Sequence, residues 1–315
     1  MEWYCILLLL VGGLLVVGLS AMLFCYRMAF YSPPRTPRGE DEYPLPEGDI
    51  YLPYAETMVG WMKDMRSMPC EAFSISSHDG LTLRGKFFEY APGAPIELLL
   101  HGYRGDAERD MCGSIPRCFA LGHSAFIVEQ RASGGSDGNT ITFGVKEHRD
   151  CLAWVQFIVE HFGPDVKIIL TGISMGAATV LLAAGQPLPP QVKGVLADCG
   201  YSSAPEMIRK TIREMKLPCL LAYPFVRLAG MLFGGFDIEE AIPLEAVKHS
   251  RVPIIFIHGE ADDFVPCAMS REMHRHCASP TRLLTIPDAG HGLAYPKAPE
   301  LYVRTLREFW DEHMN

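Results

Sequence analysis

The stretch that most limits what this chain can fold into is residues 166–184. An apolar run, Val166-Lys167-Ile168-Ile169-Leu170-Thr171, leads into Gly172-Ile173-Ser174-Met175-Gly176 and then into the helix-prone Ala177-Ala178-Thr179-Val180-Leu181-Leu182-Ala183-Ala184. Strand, sharp turn, helix is the setting in which Gly-x-Ser-x-Gly holds a serine in a strained, exposed conformation. The glycines serve geometry, because the turn brings flanking backbone too close for a Cβ. The pentapeptide alone would arise by chance in roughly one chain in five of this length, so its meaning rests on the remaining sequence.

Short apolar strands alternate with helical stretches on both sides of it. Residues 96–100, 125–129, 166–171, 192–197, 252–258 and 282–286 read as strands, with helical patterns over 107–121 and 143–161. Near-continuous apolar strands separated by helices predict an α/β fold, with a mostly parallel sheet covered on both faces. Ahead of them, 71–76 and 81–88 alternate about the turn His78-Asp79-Gly80 and predict an antiparallel hairpin at the sheet edge. His78 is read as a turn residue. Residues 202–253 interrupt the alternation and are too long for a simple crossover. Their helical patches predict a small cap, about 202–250, over the carboxyl edge of the sheet, with some of its Met and aromatic residues lining a pocket.

The N-terminus has a different character. Trp3 to Cys25 is almost wholly apolar, and about twenty such residues cross a bilayer core. Glu2 precedes the run, no Lys or Arg does, and no small-x-small site closes it, which argues against a cleaved signal peptide. Residues 1–31 are therefore expected to be a single transmembrane anchor with its flank. Arg27, Arg35 and Arg38 follow the span and predict a cytoplasmic domain. Residues 32–53, rich in Pro and charge, read as a tether. The globular domain, 54–315, opens with a helix whose Met58, Trp61, Met62 and Met65 share a packing face.

Charge and cysteines narrow the partners. Lys+Arg 28 against Asp+Glu 37 gives a net charge of −9, which argues against a general phosphate-backbone binder of nucleic acid, since that needs a basic face. None of the ten cysteines forms a Cys-x-x-Cys pair, so zinc-ligand spacing is absent. Cys151 and Cys199 lie in stretches where a cysteine is a small buried hydrophobe. Free thiols fit a reducing compartment.

A serine hydroxyl needs a base within hydrogen-bond reach, and the base needs an acid to fix its tautomer. In a parallel sheet these groups come from loops at the carboxyl ends of strands. Asp262 falls in Gly259-Glu260-Ala261-Asp262-Asp263, just past the strand 252–258, and is the expected acid; Asp263 and Asp198 are its rivals. His291, in Gly290-His291-Gly292 after the strand 282–286, is the expected base. An oxyanion hole needs two backbone N–H groups. Met175, at the start of its helix, and Tyr103, in His101-Gly102-Tyr103-Arg104-Gly105, are the expected donors. His101 and His258 are read as loop supports.

The order His101-Gly102, Gly172-x-Ser174-x-Gly176, His258-Gly259-x-x-Asp262-x-x-Val265-Pro266 and Gly290-His291 resembles the α/β-hydrolase superfamily from about Cys70 onward. It is most similar to bacterial membrane-anchored serine hydrolases near the serine aminopeptidase and monoacylglycerol-lipase-like groups. One departure is Glu129-Gln130-Arg131-Ala132-Ser133-Gly134-Gly135-Ser136, where such proteins often carry Asp-x-Arg-x-His-Gly-x-Ser. Together, residues and resemblance imply a serine hydrolase that cleaves small-molecule carboxylic esters through an acyl-enzyme. No metal or organic cofactor is required. A peptidase, amidase or thioesterase with the same triad is the alternative, with Glu239, Glu240 or Glu245 available to hold an amine. A non-catalytic membrane-tethered binding protein is the third reading.

Overall fold

The computed structural model describes residues 3–33 and 39–314. The chain begins with α1 (Trp3–Ala29), a 3-10 helix (Asp49–Tyr54) and α2 (Ala55–Ser67). The hairpin β1 (Glu71–Ser76) and β2 (Thr82–Phe88) leads to β3 (Ile96–Leu100), α3 (Ala107–Met111), α4 (Ser114–Leu121), β4 (Ser124–Glu129) and α5 (Glu147–Phe162). Then come β5 (Ile168–Ile173), α6 (Met175–Ala184) and β6 (Val192–Asp198). The insertion holds α7 (Ala204–Glu214), α8 (Cys219–Ala229), which a π-helical turn (Gly230–Gly234) extends, and α9 (Pro243–Val247). The chain closes with β7 (Ile254–Gly259), α10 (Cys267–His276), β8 (Thr281–Ile286), α11 (Ala294–Lys297) and α12 (Pro299–His313).

The eight strands form one sheet in the order β1-β2-β4-β3-β5-β6-β7-β8. β2 runs antiparallel to both β1 and β4, and every pairing from β4 to β8 is parallel. Side chains alternate across this sheet, so each apolar strand feeds two cores. Leu98, Phe126, Leu170, Val195 and Phe256 face one side and pack with Trp154 of α5, Val180 and Leu181 of α6 and Met273 of α10. On the other side Leu99 and Ile127 meet Met62 of α2, Met111 of α3 and Ile115 of α4. Ile169, Leu196, Ile255 and Ile257 meet Leu306 and Phe309 of α12. Met58, Met62 and Met65 are buried along one side of α2, as their spacing predicts.

A charge sits in the middle of this sheet. Glu97 of β3 is fully buried. Arg117 of α4 donates to both its oxygens at 3.2 and 2.8 Å, His123 Nδ1 lies at 2.8 Å and Thr171 Oγ1 at 2.9 Å. Burial alone would raise the carboxyl pKa, but Arg117 and His123 outweigh it and hold Glu97 well below the usual carboxylate range.

Two expectations for the periphery change. The insertion does occupy the 202–250 region, and Met207, Ile208 and Ile212 of α7 share a cluster with Met175 and Val265, but the buried face of α8 is turned toward α1: Tyr223, Val226 and Ala229 join Tyr26 and Phe30 at the end of α1. Part of the expected tether is also structured. Tyr51 in the 3-10 helix is buried, and the chain beyond α1 pairs at Tyr31 with Thr140. Residues 34–38, with Arg35 among them and Arg38 at their end, lie outside the described residues.

Arg117→Met strands Glu97 in the interior and should cost about 3–5 kcal/mol of stability. Glu97→Gln combined with Arg117→Met should recover part of that loss, because no unpaired charge remains. Urea unfolding of the three proteins, followed by near-ultraviolet circular dichroism, measures both effects.

Candidate active site

β5 ends at Ile173 and α6 starts at Met175, so Ser174 alone makes the turn. It does so at φ 55° and ψ −117°. A non-glycine residue held there stores about 1–3 kcal/mol, and the surroundings enforce it. A Cβ on Gly172 would run into the Gly176 carbonyl, and one on Gly176 into the Leu100 carbonyl. The Ser174 N–H donates to Asp198 O at 2.8 Å, which fixes the turn to the neighbouring strand.

The turn sets the serine against a relay. Ser174 Oγ lies 2.9 Å from His291 Nε2, and His291 Nδ1 lies 2.7 Å from Asp262 Oδ2. With Asp262 ionised, Nδ1–H donates to the carboxylate and Nε2 is free to accept the serine proton. The Asp262 side chain has no exposed surface, and that of His291 is 16% exposed. Burial pushes the Asp262 pKa up, but hydrogen bonds from His258 and His291, the His291 charge and the Val265 N–H outweigh it and lower it to about 2. Phe264 and Val265 N–H groups both donate to Oδ1, at 3.0 and 2.8 Å. His258 Nε2 lies 2.9 Å from Val265 O and 3.2 Å from Asp262 Oδ2, while its Nδ1 meets Ser270 Oγ at 2.7 Å. His258 therefore braces the Asp262 loop, the role expected of it.

The two rival acids stand apart. Asp198 accepts from Tyr302 Oη at 2.8 Å on the far side of β6, and burial raises its pKa. Asp263 sits on the rim of the cleft, where its carbonyl accepts from Lys210 Nζ at 2.9 Å.

The loop after β3 closes the opposite side. Gly102 N–H donates to Asp110 Oδ2 at 3.0 Å, and Arg109 Nε holds the other oxygen at 2.7 Å. This leaves Tyr103 as the next N–H in the loop. Among the described residues, neither the Tyr103 N–H nor the Met175 N–H has a hydrogen-bond partner. His101 Nδ1 meets Gly102 O at 2.9 Å, and its Nε2 accepts from Gln130 N–H at 3.1 Å, so it supports the loop. The Tyr103 ring stacks on Phe143 with centroids 5.0 Å apart, and its hydroxyl donates to Ala29 O of α1 at 2.8 Å.

The altered segment after β4 is fully tied down. Asp150 and Asp79 hold the Arg131 guanidinium at 2.6–3.1 Å. Ser133, which stands where a histidine is usual, donates to Gly105 O at 2.6 Å and so ties this loop to the one carrying Tyr103.

The serine opens into a cleft of about 670 Å³. Its walls are Ile50, Tyr51, Met58, Ile173 and Phe264, with Arg104 and Arg109 among the polar groups. No residue of 202–250 lines it, which corrects the expectation that the insertion encloses the pocket. Strapped across it instead is the segment before α2. The Tyr51 hydroxyl donates to His291 O at 3.0 Å, and burial raises its pKa, so it stays protonated and a donor. Ile50, Tyr51 and Asp110 carry no sequence signal for this role. Met58 had one, because its helical face was legible, but the cleft at its end was not. Among the described residues, one group of His, Cys, Asp and Glu lies close enough to share a metal ion: Cys199, Asp262 and His291. Burial pushes the Cys199 thiol well above its ordinary range, which keeps it protonated and a poor ligand.

Known proteins carry the same arrangement of strands. A family model described as the prolyl oligopeptidase family matches residues 139–315, more than half of the chain, and the chain belongs to that family. The uncharacterized protein YqkD of Bacillus subtilis is 29% identical over 192 residues, which span 61% of this chain and 63% of that protein. An esterase of Pyrococcus furiosus superposes with a TM-score of 0.66 at 22% identity, over 91% of this chain and 99% of its own. Est1E of Butyrivibrio proteoclasticus, solved with ferulic acid bound, gives 0.61 at 22% identity over 77% and 99%. The fold is that of the α/β-hydrolases.

The depressed pKa of Asp262 has a stability consequence with a definite sign. The folded value lies below the ordinary 3.8, so the stabilisation is present above about pH 4 and is lost as pH falls through about pH 2. Asp262→Asn should therefore be less stable than the wild type by about 2 kcal/mol near neutral pH. Urea titrations between pH 7 and pH 2 should show that gap closing on the acid side.

Proposed function

For a serine hydrolase of the prolyl oligopeptidase family, we propose cleavage of carboxylic esters through an acyl-enzyme. The observation that carries this reading is the continuous line Ser174 Oγ, His291 Nε2, His291 Nδ1, Asp262 Oδ2, at 2.9 and 2.7 Å. Ser174 attacks the ester carbonyl as His291 takes its proton. Asp262 orients the imidazole and stabilises its charged form. Negative charge grows on the carbonyl oxygen, where the Met175 and Tyr103 N–H groups receive it, helped by the start of α6. His291 then gives its proton to the departing alkoxide. Water, activated by the same histidine, releases the acyl group and regenerates the serine.

Peptide or amide cleavage with the same residues is the second reading, favoured by the family match. The acidic groups expected to hold an amine point against it. Glu239 is engaged by Arg209 at 3.0 Å and Tyr223 at 2.6 Å, and Glu245 by Lys248 at 2.7 Å. None of Glu239, Glu240 and Glu245 reaches the cleft.

We further propose that α1 is an uncleaved membrane anchor. Within it, Leu7–Ala29 is long and apolar enough to cross a bilayer. Tyr26 in its last turn and Phe30 just beyond it enter the core of the folded domain, so cleavage of a signal sequence would remove part of that core. The domain is proposed to face the cytoplasm, as Arg27 and the free described cysteines suggest. Protease added to intact cells should leave the domain whole; its digestion would place it outside.

The activity is checked with full-length protein in detergent on p-nitrophenyl butyrate. Ser174→Ala should lose roughly 10⁴-fold in kcat, and a fluorophosphonate should label the wild type at Ser174 but not the variant. Equal rates for the two proteins would sink the proposal. A preference for aminoacyl amides over esters in direct competition would select the second reading.

A further inference from the structure

We infer that the outward face of α8 and its π-helical extension is embedded in the membrane, and that the cleft draws its ester from the bilayer interface. The second half of this inference rests on the proposed ester chemistry; the first does not.

The polarity of α8 is the reverse of what a water-facing helix requires. Tyr223, Val226 and Ala229 fall on one side and are buried. Leu220, Leu221, Phe225, Leu228, Met231 and Leu232 fall on the other side and are exposed, Leu220 to 88%. A surface helix places its polar residues there. Between Leu217 and Phe236 the one charged residue is Arg227, and Asp237 pairs with it at 2.6 Å. An apolar surface of this extent needs a covering.

The structure indicates what covers it. The stripe lies against the end of α1. Tyr26 of α1 packs on Phe233 with ring centroids 5.7 Å apart, and Met22 and Cys25 join the same cluster as Ala222 of α8. Beside them Leu19, Leu23, Phe24 and Met28 of α1 are exposed. A helix of that character is solvated by hydrocarbon, so whatever covers the adjoining stripe must also enter the bilayer. At this end of α1 the Arg27 guanidinium lies 4.9 Å from the Tyr31 ring centre, a basic and aromatic pairing typical of the membrane–water boundary. An apolar helix lying beside the end of a span has the character of an interfacial helix.

The same end of α1 meets the cleft. Tyr103 donates to Ala29 O at 2.8 Å, and Arg104 donates to Met28 O at 2.9 Å and to Tyr31 O at 3.0 Å. Both residues line the cleft. Its rim also carries Phe264, 48% exposed and 5.1 Å from the His291 ring centre. The mouth therefore opens at the level where α1 leaves the bilayer. An ester whose acyl chain resides in the membrane can reach it without crossing water.

The test uses the full chain in phosphatidylcholine–phosphatidylglycerol vesicles doped with phosphatidylcholine that carries a diazirine in its acyl chain. After photolysis, peptides covering 217–233 should carry lipid adducts as well as those of α1. Adducts confined to α1 would overturn the inference, whether water or a second copy of the chain covers the stripe. Labelling needs no turnover, so it stands or falls independently of the ester reading. For the substrate, the double variant Leu221→Glu/Leu228→Glu is compared with wild type on soluble p-nitrophenyl butyrate and on p-nitrophenyl palmitate dissolved in the same vesicles. The butyrate rate should stay within about two-fold and the palmitate rate should fall about ten-fold. An equal effect on both esters would overturn the link between the stripe and the substrate.

Discussion

One strained residue sets the geometry on which the site depends. Ser174 is held at positive φ because the chain must pass from β5 into α6 with a single residue and no room on either side. The strain has a directional result. It sets the Ser174 hydroxyl 2.9 Å from His291 Nε2 and makes Met175 the first residue of α6, directly beside it. A relaxed turn would need more residues and would move both groups. The sheet resists such relaxation, since β5 is clamped between β3 and β6 in parallel register.

Parallel register also explains why residues far apart in sequence converge. Tyr103 follows β3, Ser174 follows β5, Asp262 follows β7 and His291 follows β8. When neighbouring strands run the same way, their carboxyl ends form one edge, and loops of a few residues suffice to bring side chains within hydrogen-bond reach. The loops are then stiffened by buried polar groups. His101, His258 and Asp110 each bind backbone within or next to a loop that carries a site residue. Each is costly to desolvate alone and becomes tolerable only when its partners are fixed, so the loops and their supports are mutually dependent.

The same distinction decides what could be read from the sequence. Strands, helices and the loops carrying Ser174, Asp262 and His291 were legible because their signals are local: a run of apolar residues, then glycine beside a reactive side chain. Glu97 was hidden, since nothing in Ile96-Glu97-Leu98-Leu99-Leu100 tells that Arg117 and His123 will reach it. Ile50 and Tyr51 read as tether because their neighbours are rich in Pro and acid, and a six-residue 3-10 helix is too short to leave a period. The insertion failed differently. Its hydrophobicity was visible, but hydrophobicity says that a surface wants covering and is silent about by what. The insertion reads as a cap over the cleft, whereas Tyr223, Val226 and Ala229 of α8 share their cluster with Tyr26 and Phe30 at the end of α1.

That pairing makes the N-terminal helix part of the enzyme's architecture. The last carbonyls of any helix lack intrahelical partners, and here the carbonyls of Met28 and Ala29 are taken by Arg104 and Tyr103. The loop that borders Ser174 is thus capped onto α1, while Tyr103 also stacks on Phe143, whose ring meets Phe30 edge-on at 5.9 Å. A displacement of α1 relative to the sheet would have to break these bonds or move the Tyr103 peptide with it. The placement of α1 and the position of one wall of the cleft are consequently set by the same few contacts.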